Sequence, residues 1–166
     1  MDTIFGLPAH VLLVHAVVVL CPLAALIGVA IAVRPRWAFY LRWPLLGFGL
    51  VSTGFAILAA GAGDSLEHRL GHSDLIERHA EAGDMLQTVA IIFGVIAVIA
   101  FFSISVESPL KSGRGAFTSR LPPVVGMAAR VLLAAGAIWL IVQTTITGHT
   151  GSEAAWSDIV KSTTAN

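Results

Sequence analysis

The chain has 166 residues, 56% of them hydrophobic and 12% charged, and its ten Lys and Arg balance its ten Asp and Glu. Soluble domains carry roughly 25% charged residues, so this composition, with a mean hydropathy of +0.84, excludes an ordinary water-soluble domain. Zero net charge leaves no basic field to hold nucleic acid, and the single cysteine, Cys21, excludes an intrachain disulfide or a cysteine-based zinc site.

Residues 1–9 contain no Lys or Arg and include Asp2. They lack the positive n-region of a cleavable signal, so the first apolar segment is expected to be retained. That segment, about residues 10–33, is long enough to cross the hydrocarbon layer, which takes roughly 20 apolar residues. His10 and His15 open it and Arg34-Pro35-Arg36 closes it. Cys21, beside Pro22, is read as buried packing. Five helical residues separate the two imidazoles by about 140° and about 7.5 Å along the axis, so one flat cofactor does not readily take both. His15 lies inside an apolar run, where an ionisable residue points to function by default. The alternative is a neutral ring bonded to a facing Thr, Gln or carbonyl.

The second span, about residues 43–63, carries Gly47, Gly49, Gly54, Ala59, Ala60 and Gly61, small residues that permit close helix approach. The connection that follows, residues 64–84, reads DSLEHRLGHSDLIERHAEAGD. Leu66, Leu70, Leu75 and Ile76 form an apolar stripe on short helices broken at Gly71, the pattern of an amphipathic cap on the bilayer surface. His68 and His72 have chelating i,i+4 spacing, but Gly71 and the absence of an HExxH pattern make them solvated surface. Glu67, Glu77, Glu81 and Asp84 are read as a solvated acidic face.

His79 stands just before the third span, about residues 85–106, with Gly83 and Gln87 on the same helical face. Ser119-Arg120-Leu121-Pro122-Pro123 introduces the fourth, about residues 124–147, where proline is tolerated in a first turn. Gly126, Ala129, Ala134, Ala135 and Gly136 give it a small-residue surface. Gln143, Thr144, Thr145, Thr147 and the closing His149 give its far end unusual polarity.

Short connections favour antiparallel neighbours. The expected fold is therefore all-α, one transmembrane domain over residues 1–166: a four-helix up-down bundle with a short amphipathic helical segment between spans two and three. Seven basic residues (Arg34, Arg36, Arg42, Lys111, Arg114, Arg120, Arg130) fall at the first and third connections, against three (Arg69, Arg78, Lys161) on the other side. By the positive-inside rule both termini and the second connection face outward from a bacterial cytoplasmic membrane. All six histidines then share the outer side. His10, His15, His79 and His149, from three helices at similar depths, make a ligand inventory for haem b, or for copper or zinc. A bis-histidine haem would take His15 with His79 or His149. No GxSxG, Walker, dinucleotide or CxxCH motif is present, so any haem is non-covalent and no catalytic residue is assigned.

Three stretches, GLPAHVLLVHAVVVLCPLAAL, GDSLEHRL…IERHAEAGD and GHTGSEAAW, together resemble the bacterial four-helix membrane proteins labelled domain of unknown function 2231. The resemblance covers most of the chain and rests on His10, His15, His79 and His149 in fixed order. It implies the same four-span topology. Some relatives carry fused Rieske-type or cytochrome-like domains, which by analogy implies electron transfer. The functional expectation is thus a membrane protein with an outward histidine cluster binding haem b or a transition metal. The alternatives are a cofactor-free accessory subunit of a respiratory or other membrane complex, or a homo-oligomer, with the histidines as hydrogen-bonding glue. A pH-responsive transporter ranks last, because no ionisable residue continues a path through mid-membrane.

Overall fold

The computed structural model describes residues 3–70 and 73–164. Four helices dominate them: α1 (Ala9–Val33), α2 (Ala38–Leu70), α3 (Asp74–Ser103) and α4 (Pro123–Thr164). A two-stranded hairpin, β1 (Thr3–Ile4) and β2 (Leu7–Pro8), precedes α1, and its turn holds Phe5 and Gly6 at φ 51° and 81°. Positive φ at both central positions is the type I′ pattern, whose twist suits a two-residue hairpin. All four helices are long and apolar enough to cross a membrane, and the molecule is an all-α membrane bundle.

Each helix packs on its sequence neighbours, and α4 closes the ring on α1, so α1 and α3 stand diagonally opposite. Where α2 crosses α3, a Cβ on Gly94 would fall 2.6 Å from Thr53 Oγ1 and one on Gly49 would fall 3.1 Å from Ala97 Cβ. The small-residue seam expected on α2 is thus realised at Gly49. A Cβ added at Gly47, Gly54 or Gly61 would meet no atom of the described residues within 4 Å. Phe93 of α3 fills the bundle centre, lying against Gly28 of α1 and Gly136 of α4.

One end of the bundle is basic. Arg130 of α4 donates from Nη2 (3.0 Å) and Nε (3.4 Å) to the Ala32 carbonyl in the last turn of α1, where the helix dipole favours a cation. The Arg42 guanidinium lies between the rings of Phe117, at 4.2 Å, and Phe101, at 4.3 Å. The α3–α4 loop is pinned back by the bridge between Val106 and Phe117.

At the opposite, histidine end the helices are uneven, and this shapes the site. From the basic end α1 rises 25 residues, while α2, α3 and α4 rise 33, 30 and 42. At about 1.5 Å per residue, α2 overtops α1 by roughly 12 Å. The segment expected as a separate surface cap is therefore the continuation of α2 up to Leu70 and the first turns of α3 from Asp74. Its apolar stripe turns inward: Leu66, Leu70 and Ile76 line the space that α1 leaves unfilled. The fourth helix also runs well past residue 147. The hydroxyls of Thr150 and Ser152 bond back to the carbonyls of Thr147 and Gly148, and Gly148 and Gly151 do not break it.

Candidate functional site

The unfilled space is a cup of about 600 Å³, lined by all four helices. That lies within the roughly 300–1,000 Å³ of small-molecule and cofactor pockets. Its floor is the buried set Val17, Ala56, Leu86 and Thr144. Its walls are mostly apolar, interrupted by His10, His15, His79, Asp64, Glu67, Asp84 and Gln87.

His10 and His79 meet across the bundle diagonal with ring centroids 5.9 Å apart and planes at 79°. Each ring is held in the same way by the helix beside its own. His10, in the first turn of α1, donates from Nδ1 to the Ala59 carbonyl of α2 at 2.8 Å. It lies flush on Gly63, where an added Cβ would come within 3.1 Å of the ring. His79, in the second turn of α3, donates from Nδ1 to Thr150 Oγ1 of α4 at 3.2 Å. Thr150 gives its own proton to the Thr147 carbonyl, which leaves an oxygen lone pair for the imidazole. His79 lies on Gly151, where a Cβ would come within 2.9 Å of the ring. With Nδ1–H tied to oxygen, Nε2 carries the free lone pair, the state in which imidazole binds a metal.

His15 is exposed on the cup wall, its Nδ1 bonded to the Val11 carbonyl of its own helix. It too keeps Nε2 free. His149 is 73% exposed on the outer surface and pairs with Glu153 at 3.3 Å. His68 is exposed and outside the cup, and its expected partner, His72, lies outside the described residues. The structure therefore pairs His10 with His79, rather than His15 with His79 or His149. The rotation of α4 explains this. Gln143 Nε2 and Thr147 Oγ1 both donate to the Ala82 carbonyl of α3, at 3.1 and 2.9 Å. This turns the face carrying residues 144, 147, 148 and 151 inward and sends residue 149 outside.

The acids also divide. Glu77 and Glu81 are exposed away from the cup, as expected, but Asp64, Glu67 and Asp84 line it. Gly63, Thr150, Gly151 and Trp156 were not legible as site residues. Their signal was indirect: a glycine on the neighbouring helix at the depth of each imidazole. Among the described residues no three His, Cys, Asp or Glu side chains converge as a preformed metal cage would require. The donor set is two imidazoles.

The chain belongs to the family described as predicted membrane protein (DUF2231), whose model matches residues 6–164. No curated protein and no solved structure matches it.

Proposed function

We propose that this membrane bundle holds a metal centre between His10 and His79, with haem b as the occupant, and serves electron transfer. The observation that carries the reading is the diagonal imidazole pair, each ring fixed through Nδ1 and backed by glycine. The ring centroids stand 5.9 Å apart, near enough for one metal centre to be held by both imidazoles. Structural zinc takes four protein ligands and catalytic zinc three. Haem iron receives four nitrogens from its macrocycle and asks the protein for only two axial donors. A two-histidine set within a largely apolar cup suits that demand better than it suits bare copper or zinc.

When bound, haem b would supply one-electron redox chemistry. His10 and His79 would hold it. The Ala59 carbonyl and the Thr150 hydroxyl would orient them, since such outer partners fix tautomer and ring direction. A redox group held by two imidazoles of the protein would suit one-electron transfer. The positive-inside rule supports the basic end facing the cytoplasm of a bacterial inner membrane, with the cup and both termini outside.

The test is an absorption spectrum and metal analysis of the detergent-purified protein, followed by haem titration. A Soret band at one haem per chain is expected, lost in His10→Ala and in His79→Ala and kept in His149→Ala. A folded, colourless protein that takes up no added haem would overturn the proposal. Stoichiometric copper or zinc on the same two histidines would transfer the site to that metal. Co-purification with larger partners and no haem would instead favour the accessory-subunit alternative.

A further inference from the structure

The cup has two flanks of different character. On the α1–α4 flank the lining residues Val11, His15 and Val18 of α1 are exposed, as are Gly148 and Ser152 of α4. The cup therefore reaches the lateral surface between these helices. His15 lies 18 residues from Val33, about 27 Å along the helix, against a hydrocarbon thickness of about 30 Å. This doorway opens at the level of the acyl chains. On the α2–α3 flank the lining is also largely apolar, with Leu66, Leu70 and Ile76, but it carries Asp64 and Asp84, both exposed, and Glu67 and Gln87, half-buried. The carboxylates of the cup thus lie on one flank and the doorway beside His15 on the other.

The hydrogen-bonding capacity of the wall is equally one-sided. The hydroxyls of Thr144, Thr147 and Ser152 already donate to backbone carbonyls of α4 or α3. Among the described residues no Lys or Arg lines the cup. Apart from the Gln87 amide and the Trp156 indole, what the wall offers is acceptors: the Nε2 lone pairs and three carboxylates. A ligand complementary to it brings O–H donors and arrives through the bilayer.

We infer that the cup binds a lipid-soluble quinol, whose ring hydroxyl donates to His15 Nε2 while its tail leaves between α1 and α4 and its second hydroxyl turns toward the acidic flank. The oxidised quinone has only carbonyl acceptors and finds donors only in the Gln87 amide and the Trp156 indole, whereas the quinol matches His15 Nε2 and the carboxylates, so the site favours the reduced form. This inference shares a location with the metal-centre reading but not its residues. His10 and His79 carry that reading; His15 and the doorway carry this one.

The test uses the full chain, freed of any metal or haem, in phospholipid nanodiscs. The probe is a short-tailed benzoquinol. The readout is the component of tryptophan quenching that is lost in Trp156→Phe. Saturable binding is expected, weaker by about tenfold for the quinone and for the quinol dimethyl ether, the scale of one lost hydrogen bond. His15→Ala should weaken it by a similar factor, His15→Gln should recover most of the loss through its amide oxygen, and Ser152→Trp should block the doorway. Quinol, quinone and ether binding alike would overturn the inference, as would no saturable binding. So would an unchanged curve in both His15→Ala and Ser152→Trp. The ether comparison is made on the unsubstituted chain, so a variant that fails to fold does not decide the result. Loss of the Soret band in His79→Ala with quinol selectivity intact would separate the two readings.

Discussion

Replacing Gly151 with alanine separates site geometry from fold stability, because the two should move in opposite directions. The added Cβ would stand 2.9 Å from His79 Cε1, 3.2 Å from Nδ1 and 3.4 Å from Nε2. Carbon contacts settle near 3.5–4.0 Å, so the ring must retreat by roughly 0.5–1 Å. It can do so cheaply, because the half-buried imidazole has the cup in front of it. The Nδ1–Thr150 bond is already 3.2 Å long, at the outer limit of good N–H···O geometry, and the retreat breaks it. Metal sites tolerate about 0.2 Å of error, and loss of an outer-shell partner typically costs about 10–100-fold in affinity. Meanwhile alanine in a helix interior gains about 0.5–1 kcal/mol over glycine. Gly151→Ala should therefore hold or raise the melting temperature followed by circular dichroism in detergent, while haem affinity falls at least tenfold in a spectroscopic titration. Wild-type affinity in this variant would refute the claim that His79 is a positioned ligand. Stability and affinity falling together would reduce Gly151 to a packing residue.

Gly63→Ala should act on His10 in the same sense, with the Ala59 bond displaced and affinity reduced at unchanged helicity. Thr147→Val combined with Gln143→Leu removes both bonds to the Ala82 carbonyl; at about 1 kcal/mol each it should lower stability by roughly 2 kcal/mol, read from denaturant unfolding, and weaken haem binding by letting α4 rotate. Arg130→Met should cost about 1–3 kcal/mol, the scale for losing a charged hydrogen bond, without changing the spectrum of bound haem. His149→Ala breaks only an exposed pair, so melting temperature and spectrum should both match the parent.

The span count, the antiparallel order and the gathering of histidines at one end were legible because hydropathy and charge act over whole segments. What was not legible is helix rotation and relative height. His149 and Thr147 are two residues apart, and the sequence does not say which of them faces in. The decision is made by Gln143 and Thr147 reaching the Ala82 carbonyl, a contact between α3 and α4 61 and 65 residues apart in the chain. The segment between spans two and three is helical, as expected, but what its apolar stripe faces was not legible for a related reason. Its apolar stripe is real, but amphipathic patterning cannot tell a lipid surface from a cavity in the same molecule. The cavity comes from the short α1, which begins at Ala9 below the level that α2 reaches.

The two hairpins of the bundle solve one problem twice. In α1–α2 the imidazole comes from the first helix, and its carbonyl and glycine from the second; in α3–α4 the roles fall in the same order, with the Thr150 hydroxyl in place of the Ala59 carbonyl. Neither half needs the other to orient its ring, because each hydrogen bond closes within its own hairpin. The pair forms only when the hairpins dock, since His10 and His79 sit on diagonal helices. A ligand held by both rings therefore ties the two hairpins together. It stabilises the docked bundle by its binding free energy, growing as RT ln(1 + [L]/Kd). Histidines acting only as hydrogen-bonding glue would give no such dependence, because their bonds to Ala59 and Thr150 are complete without a ligand. The rise of melting temperature with added haem, present in the parent and absent in His10→Ala, distinguishes a docking ligand from glue in a single titration.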